Sequence, residues 1–318
     1  PLPKTCRGKY RDTIMFVKLT YLLVIFIWAT TPLSIKLGGD TLSPMAALSL
    51  RIALAFMVGS AVCTLFGLAG LSVRRNGKLY FAASISLFPN MALVYMATQH
   101  ISSGLVSLLF GLSPFFTLLL AKPILGENLI RPRKLLALSI AALGLGCIVF
   151  DKAALSGDGL TGIGLMLVSN ILFSGSALWV KKLNAELSVP PFEQALGAMA
   201  FALPGMLLSW VFVVGVEPIV ISPVSLASLL YLALFASLVG FAAYYFILRE
   251  MSVEAVSLIP LITPVLAMTA GVLVNDEQVS TGMFVGAGMI LFGLAIHSEF
   301  NPLRLLRRQE TALAAVKE

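Results

Sequence analysis

Charged residues are scarce in this sequence of 318 residues: Asp, Glu, Lys and Arg make up 12% of it, whereas 58% is hydrophobic. A soluble domain averages about 25% charged and about 45–50% apolar residues. One soluble core cannot hide this surplus, because such cores stop growing at about 250–300 residues. The composition therefore excludes an ordinary soluble domain and favours a protein that lies in a bilayer.

The sequence also lacks the residue patterns of most enzymes. Its three cysteines have no metal-ligand spacing and make no even disulfide framework, so we interpret them as small apolar residues. It contains no HExxH, no GxSxG and no pair of intramembrane aspartates, and nothing in it resembles a selectivity loop. We therefore expect neither an enzyme nor a channel, and we expect no metal and no cofactor. A receptor or scaffold is a further alternative, but the loops are short.

Apolar runs dominate what is present. Each run has roughly the 17–25 residues that a membrane-spanning helix needs, and lipid offers no partner to free backbone groups, which favours helices. The sequence predicts an all-α integral membrane protein with ten transmembrane helices, bounded to within about 2–4 residues. The ten runs are 16–37, 44–68, 79–99, 102–124, 133–150, 161–181, 191–214, 225–248, 253–274 and 279–298.

The basic residues predict the orientation of these runs. Lysine and arginine near span ends are enriched on the cytoplasmic side. With the N-terminus in the cytoplasm, only Lys36 and Lys152 fall outside and Arg51 lies within the second run, so the other nineteen lie inside. We therefore predict cytoplasmic N- and C-termini, with the basic tail 299–318 on the anionic inner leaflet. The basic surplus is a topology signal, and we expect no nucleic acid as a partner.

The chain contains an internal repeat. The stretches LSPFFTLLLAKPILGE (112–127) and ITPVLAMTAGVLVNDE (262–277) are offset by 150 residues, and the first and sixth runs match where Lys36 aligns with Lys181. Each half holds five runs, and five is odd, so the second half enters the membrane from the opposite side. Secondary transporters use such inverted repeats to build two gates around one central site.

These stretches give the sequence its resemblance to a known family. Together with WATTPLSIK (28–36), LRIALAF (50–56) and the glycines Gly144, Gly146, Gly286 and Gly293, they resemble the EamA-type members of the drug/metabolite transporter superfamily. The resemblance implies ten helices in two inverted five-helix repeats, in the plasma membrane of a bacterium. The corresponding division is a cytoplasmic tail 1–15, repeat 16–150, external linker 151–160, repeat 161–298 and cytoplasmic tail 299–318.

The predicted function is that of a secondary-active or facilitative carrier working by alternating access. The resemblance implies an exporter, with amino acids as the first candidates. Because no carboxylate lies at mid-membrane to attract a lipophilic cation, we expect neutral or zwitterionic solutes. Drug or toxic-compound efflux, or metabolite uptake, are the alternatives. Coupling runs through water and His100, or the carrier is a facilitator. The motif GMFVG (282–286) leaves a monomer or a homodimer open.

Polar and aromatic residues within the runs are the candidates for substrate binding. Any single serine is equally explained by an interhelical hydrogen bond, and Trp28 and Trp179 either stack on a substrate or anchor at an interface. Asn90 and Asn170 are favoured, because an apolar helix has little other use for an amide. The full set is Trp28, Thr31, Asn90, Tyr95, Gln99, Ser107, Asn170, Ser174, Trp179, Tyr244, Tyr245 and Ser257.

A second set of residues is predicted to shape gates. Proline removes a helical N–H donor, which predicts kinks at Pro114, Pro260 and Pro264, while Glu127 and Glu277 end the repeated stretches. An arginine within a span is a functional-site hypothesis by default. Arg51 is expected to form an ion pair with Asp40 or Glu277, to snorkel outward or to contact substrate. His100 either titrates near neutral pH or is a satisfied interface residue.

Overall fold

A computed structural model describes residues 4–67, 70–126, 130–151, 158–215, 220–250 and 259–297. This part of the chain is helical and contains no strand. The helices of the first half are α1 (Lys4–Gly38), α2 (Pro44–Leu65), α3 (Val73–Ser84), α4 (Asn90–Ala97), α5 (Ser103–Phe110), α6 (Ser113–Leu125) and α7 (Pro132–Phe150).

The second half continues with six α-helices and two π-helical segments. They are α8 (Gly159–Asn184), α9 (Pro191–Ser209) with the π-helical Trp210–Val214, α10 (Pro223–Tyr231) with the π-helical Leu232–Val239, α11 (Gly240–Glu250), α12 (Ile259–Asn275) and α13 (Thr281–His297).

The surface of this helical assembly is apolar, as a bilayer requires. Large side chains such as Phe26, Phe212, Phe284 and Phe292 are each at least 60% exposed, and contiguous exposure of this kind marks a surface that another apolar phase covers. Among the described residues, seven helices are long and apolar enough to cross a membrane, and the apolar stretches Ile262–Asn275 and Thr281–His297 are shorter. The chain is therefore an all-helical, multi-pass membrane protein.

Two of the predicted runs are broken. The run 79–99 was expected to be one helix, and that expectation is wrong: a turn from Ile85 to Pro89 separates α3 from α4. The run 102–124 is interrupted at Gly111 and Leu112, and α6 then begins at Ser113 with Pro114 in its first turn. The physical reason is the same in each run, since proline has no N–H to continue the ladder of the preceding helix.

Packing between the helices follows the repeat. Contacts between the two halves have counterparts between the equivalent helices. The α1–α12 contact corresponds to the α8–α6 contact, and the α3–α9 contact corresponds to that of Leu232–Val239 with α2. The α4–α8 contact likewise corresponds to that between α11 and α1. Two further pairs join equivalent helices directly, α2 with α9 and α7 with α13, and α5 contacts α12, which lies in the equivalent span. The fold thus consists of two similar halves whose equivalent helices pack against each other.

Glycines bring α7 and α13 into close contact. A Cβ atom at Gly286 would lie 2.5 Å from the carbonyl oxygen of Gly144, and one at Gly144 would lie 2.7 Å from that of Gly286. Asp151 accepts a hydrogen bond from the backbone N–H of Gly282 at 2.8 Å, at the start of α13. The small-residue face 282–286 therefore packs within its own chain.

Candidate functional site

A central cavity of about 90 Å³ lies among the helices of the two halves. Its wall is mostly apolar and aromatic, with a few hydroxyl groups and one guanidinium. The lining residues are Trp28, Thr31, Pro32, Ile35, Arg51, Met91, Val94, Ser107, Phe110, Gly111, Ser113, Phe173, Ala236, Phe241 and Thr263. An apolar cavity with a small number of placed polar groups is the usual form of a small-molecule site.

The lining contains residue pairs that the repeat relates. The offset of 150 residues pairs Met91 with Phe241 and Ser113 with Thr263, and all four line the cavity. The offset that aligns Lys36 with Lys181 also pairs Trp28 with Phe173, whose rings meet edge to face with centroids 6.4 Å apart. The cavity therefore lies where the two halves meet, which is where carriers built from repeats hold their solute.

The break between α5 and α6 opens one wall of the cavity. Gly111 and Ser113 lie at this break and line the cavity. Side chains of α8 bind the backbone next to this break: Asn170 Nδ2 donates to the carbonyl oxygen of Leu109 at 2.9 Å, and Ser174 Oγ donates to that of Ser113 at 2.9 Å. Backbone without helical partners is tolerated inside a membrane only where protein or cavity water satisfies it.

Asn90 and Asn170, the favoured candidates from the sequence, bridge helices instead of lining the cavity. Asn90 is fully buried, accepts a hydrogen bond from Ser169 Oγ at 2.6 Å and donates to the carbonyl oxygen of Ser86 at 2.9 Å. Ser176 donates to the carbonyl oxygen of Ala82 at 2.6 Å. The polar side of α8 thus supports the two broken runs.

Arg51 lies in the cavity wall and is only 2% exposed. Its Nε donates to Ser237 Oγ at 2.7 Å and its Nη1 to the hydroxyl of Tyr95 at 3.3 Å. No carboxylate of the described residues pairs with it. The expected ion pair with Asp40 or Glu277 is therefore wrong, and so is snorkelling outward, because the side chain turns into the bundle.

The other aromatic candidates lie at different depths. Tyr244 packs on Trp28 with ring centroids 4.8 Å apart, and Tyr245 is buried beside Tyr244. These two tyrosines form a layer behind the cavity wall. Trp179 is 37% exposed, packs against Phe81 and lies away from the cavity.

Gln99 and His100 lie at the end of the turn after α4. Gln99 is exposed, with its amide beside Gly39. His100 is half-buried against Gly162 of α8. Neither reaches the central cavity, so a role in proton coupling stays a prediction for His100.

Glu277 joins the end of α12 to the start of α5. Its carboxylate accepts hydrogen bonds from the backbone N–H groups of Ser103 at 3.0 Å and Gly104 at 3.2 Å. Negative charge at a helix N-terminus is favourable because unpaired N–H groups and the helix dipole meet there. Pro264 lies within an uninterrupted α12. Glu127 and Ser257 lie outside the described residues, and the side chain of Pro260 does too.

Sequence reasoning missed a buried glutamate and its hydrogen-bond partners, which lie away from the cavity. Glu193, 8% exposed, accepts hydrogen bonds from Asn76 Nδ2 at 3.0 Å and from the hydroxyl of Tyr80. These contacts tie the start of α9 to α3. The acidic residue was visible in the sequence, but its partners lie more than a hundred residues earlier in the chain.

Apart from Trp28, the large apolar side chains of the cavity wall were missed as well. Phe110, Phe173, Phe241 and Met91 line it, yet none was a candidate. A phenylalanine in an apolar helix has the same sequence context whether it faces lipid, core or cavity. The repeat could have indicated one of these residues, since Phe173 occupies the position equivalent to the candidate Trp28.

Comparison with known proteins identifies this arrangement. The model of the EamA-like transporter family matches residues 15–150 and again residues 160–298. The chain belongs to the EamA-like transporter family. It is a transporter and not an enzyme. Each match of the family model covers one of the two halves of the fold.

Relatives of this EamA protein carry transporter names. It is 26% identical over 285 residues to a protein of Escherichia coli (strain K12) named "Probable amino-acid metabolite efflux pump", which covers 87% of this chain and 92% of that protein. It is also 26% identical to an "Uncharacterized transporter" of Archaeoglobus fulgidus, over 86% of this chain and 95% of that one. A crystal structure with 17% identity aligns at a TM-score of 0.60, covering 88% and 96% of the respective chains, and shares the fold.

Proposed function

We propose that this EamA protein is a carrier that moves small neutral or zwitterionic metabolites, amino acids first, outward across a bacterial plasma membrane. The observation that carries the proposal is the central cavity at the junction of the two repeats. Residues at equivalent positions of the halves line it in pairs. A site shared by two repeats can face either side when the repeats rock against each other.

The size and chemistry of the cavity favour small solutes. Its 90 Å³ exceeds several-fold the roughly 10–15 Å³ that a single water molecule needs, and lies well below the roughly 300–1,000 Å³ of pockets that bind drug-sized ligands. That scale suits an amino acid better than a bulky drug. Two of its hydroxyls, those of Ser107 and Ser113, have no hydrogen-bond partner among the described residues, and are free to bind a polar solute. The name of the Escherichia coli relative supports amino-acid metabolites and the outward direction.

The proposed topology has ten spans with both termini in the cytoplasm. In it, α3 with α4 and α5 with α6 each make one broken span, and α10 with α11 makes another. The distribution of lysine and arginine supports this orientation. The loop around Thr41 and the ends near Ser103 and Glu277 then lie on the outer face.

In this topology the two repeats are joined by hydrogen bonds at the outer face, which closes the outer side of the described conformation. Thr41 Oγ1 donates to Ser225 Oγ at 2.9 Å, and Glu277 holds the N-terminus of α5. Each contact joins one repeat to the other. We propose that these contacts form the outer gate, and that breaking them lets the cavity face outward.

Counterflow in proteoliposomes tests the carrier function. Vesicles are preloaded with a mixture of unlabelled amino acids and diluted into labelled ones. A carrier produces a saturable, transient accumulation of label, because efflux of preloaded solute returns the carrier for uptake. Protein-free vesicles supply the background. Folded protein that exchanges no amino acid would refute amino-acid transport, and saturable exchange of a drug alone would establish drug efflux.

A further inference from the structure

Arg51 alone carries a charge among the described residues that line the central cavity. A guanidinium has five N–H donors, and two of those of Arg51 donate hydrogen bonds to Ser237 and Tyr95. The remaining three lie on Nη1 and Nη2, at the tip of the fork. They have no hydrogen-bond partner among the described residues.

Within the part of the chain that the structure describes, no counter-ion accompanies the charge of Arg51. Its two partners, Ser237 and Tyr95, are hydroxyls, and Ser237 is fully buried. A charge removed from water is costly unless another charge or several hydrogen bonds compensate it. Since the described residues supply no carboxylate there, the cavity itself is the place from which compensation can come.

We propose that Arg51 binds the carboxylate of the transported solute, an inference that rests on the proposed carrier function. The free tip of a guanidinium fork matches the two oxygens of a carboxylate and holds them with two parallel hydrogen bonds. One guanidinium balances one negative charge, so the cavity suits a monocarboxylate. A phosphate monoester would bring a second charge that this wall does not balance.

The rest of the wall fits the other groups of an amino acid. The free hydroxyls of Ser107 and Ser113 can accept hydrogen bonds from an ammonium group, and the face of Trp28 can attract a cation. Phe173 and Phe241 offer apolar surface to a side chain. The substrate class is therefore carboxylate-bearing metabolites, and organic cations without a carboxylate are excluded.

Arg51 also breaks the repeat symmetry. Its helix α2 packs on the equivalent helix α9, whose residues Pro191–Ser209 include no lysine or arginine. The aromatic and hydroxyl parts of the wall are duplicated, whereas the charge occurs once. A single charge gives the solute one orientation in an otherwise near-symmetric cavity.

Competition in wild-type protein tests this without any mutation. Exchange of the best-exchanged labelled amino acid is measured against its amide and its deaminated acid; for L-leucine these are L-leucinamide and 4-methylpentanoate. We expect the acid to compete and the amide to compete at least about 30-fold more weakly, the effect typical of removing one partner of a buried charge pair. Equal competition by the amide would overturn the inference and leave the carrier function standing.

Variants give the second readout. In Arg51→Gln, purified and shown to be monodisperse, we expect the apparent KM for the amino acid to rise at least about 30-fold. In Arg51→Lys we expect a smaller rise, because lysine keeps the charge but lacks the fork. The control Arg75→Gln removes an exposed arginine outside the cavity. An unchanged KM in Arg51→Gln would overturn the inference. No exchange by wild type would instead refute the carrier function and the inference with it.

Discussion

Individual residues of one chemical type have different environments in this protein. Trp28 lines the cavity between Phe173 and Tyr244, whereas Trp179 packs against Phe81 and is partly exposed. The sequence placed both in apolar runs and offered substrate stacking or interface anchoring for each. Their positions favour stacking for Trp28 and surface packing for Trp179.

The two tryptophans therefore make a matched test. In Trp28→Ala we expect the apparent KM to rise about tenfold, because an aromatic contact worth on the order of 1 kcal/mol is lost together with its apolar area. Trp28→Phe should restore most of the affinity. Trp179→Ala should leave the KM unchanged. The measurement is counterflow at varied solute concentration, and equal KM values in the two alanine variants would remove Trp28 from the site.

For the two buried asparagines, too, the predicted role differs from the environment that the structure shows. Asn90 and Asn170 were the strongest substrate candidates, because a buried amide needs a reason to be in an apolar helix. The structure supplies that reason as hydrogen bonds to Ser169 and to the carbonyl of Leu109. Sequence reasoning identified that these amides are buried and bonded, but could not tell a protein partner from a solute.

At the scale of the helices, breaks and close contacts shape the cavity. A kink at Pro114 was expected, and the break before Pro89 was not, although each proline lies next to the first residue of a helix. The difference lies in the surroundings. A proline kinks a helix or ends it according to which neighbours can bind the freed backbone groups, and α8 does so for α5 and α6.

The contact of α7 with α13 predicts that alanine destabilises the protein at one glycine of α13 and not at another. Gly286→Ala puts a methyl group 2.5 Å from the carbonyl oxygen of Gly144, so the helices must separate, at a cost of about 1–3 kcal/mol in the free energy of unfolding. Gly288→Ala meets no atom within 4 Å. We expect thermal unfolding in detergent to occur at lower temperature for Gly286→Ala alone. A similar loss in both variants would contradict the close contact.

At the scale of the whole molecule, the proposed orientation can be measured directly. In protein whose three cysteines are replaced, Gln278→Cys should react on intact cells with a membrane-impermeant maleimide. Asn184→Cys should react only after the membrane is permeabilised. Both positions are exposed, at the ends of α12 and α8 that the lysine and arginine distribution places on opposite sides. The reverse pattern would overturn the orientation.

The proposed outer gate predicts a change in accessibility of the cavity. Glu277→Gln removes the charge that holds the N-terminus of α5, where charge-assisted hydrogen bonds are worth about 1.5–3 kcal/mol. We expect Ser107→Cys in the cavity to react with an external maleimide about tenfold faster once Glu277 is changed.

The neighbouring Gln278→Ala is the control for that measurement. Gln278 is exposed, and its amide donates a hydrogen bond to the nearby carbonyl oxygen of Asp276 within the same repeat, so its loss should leave the rate unchanged. Equal rates in the Glu277 and Gln278 variants would remove Glu277 from the gate.

The sequence by itself determined that this is an all-helical membrane protein made of two related halves, and that it belongs with transporters. Those properties follow from hydrophobic length and from an offset between similar stretches, which can be read along one dimension. The tertiary structure decided which polar and aromatic residues face the cavity, that Arg51 pairs with hydroxyls, and that Asn90 and Asn170 bridge helices. These depend on the rotation of each helix and on contacts between residues far apart in the chain. In a helix whose faces are all apolar, periodicity does not mark a buried side, so only packing reveals it.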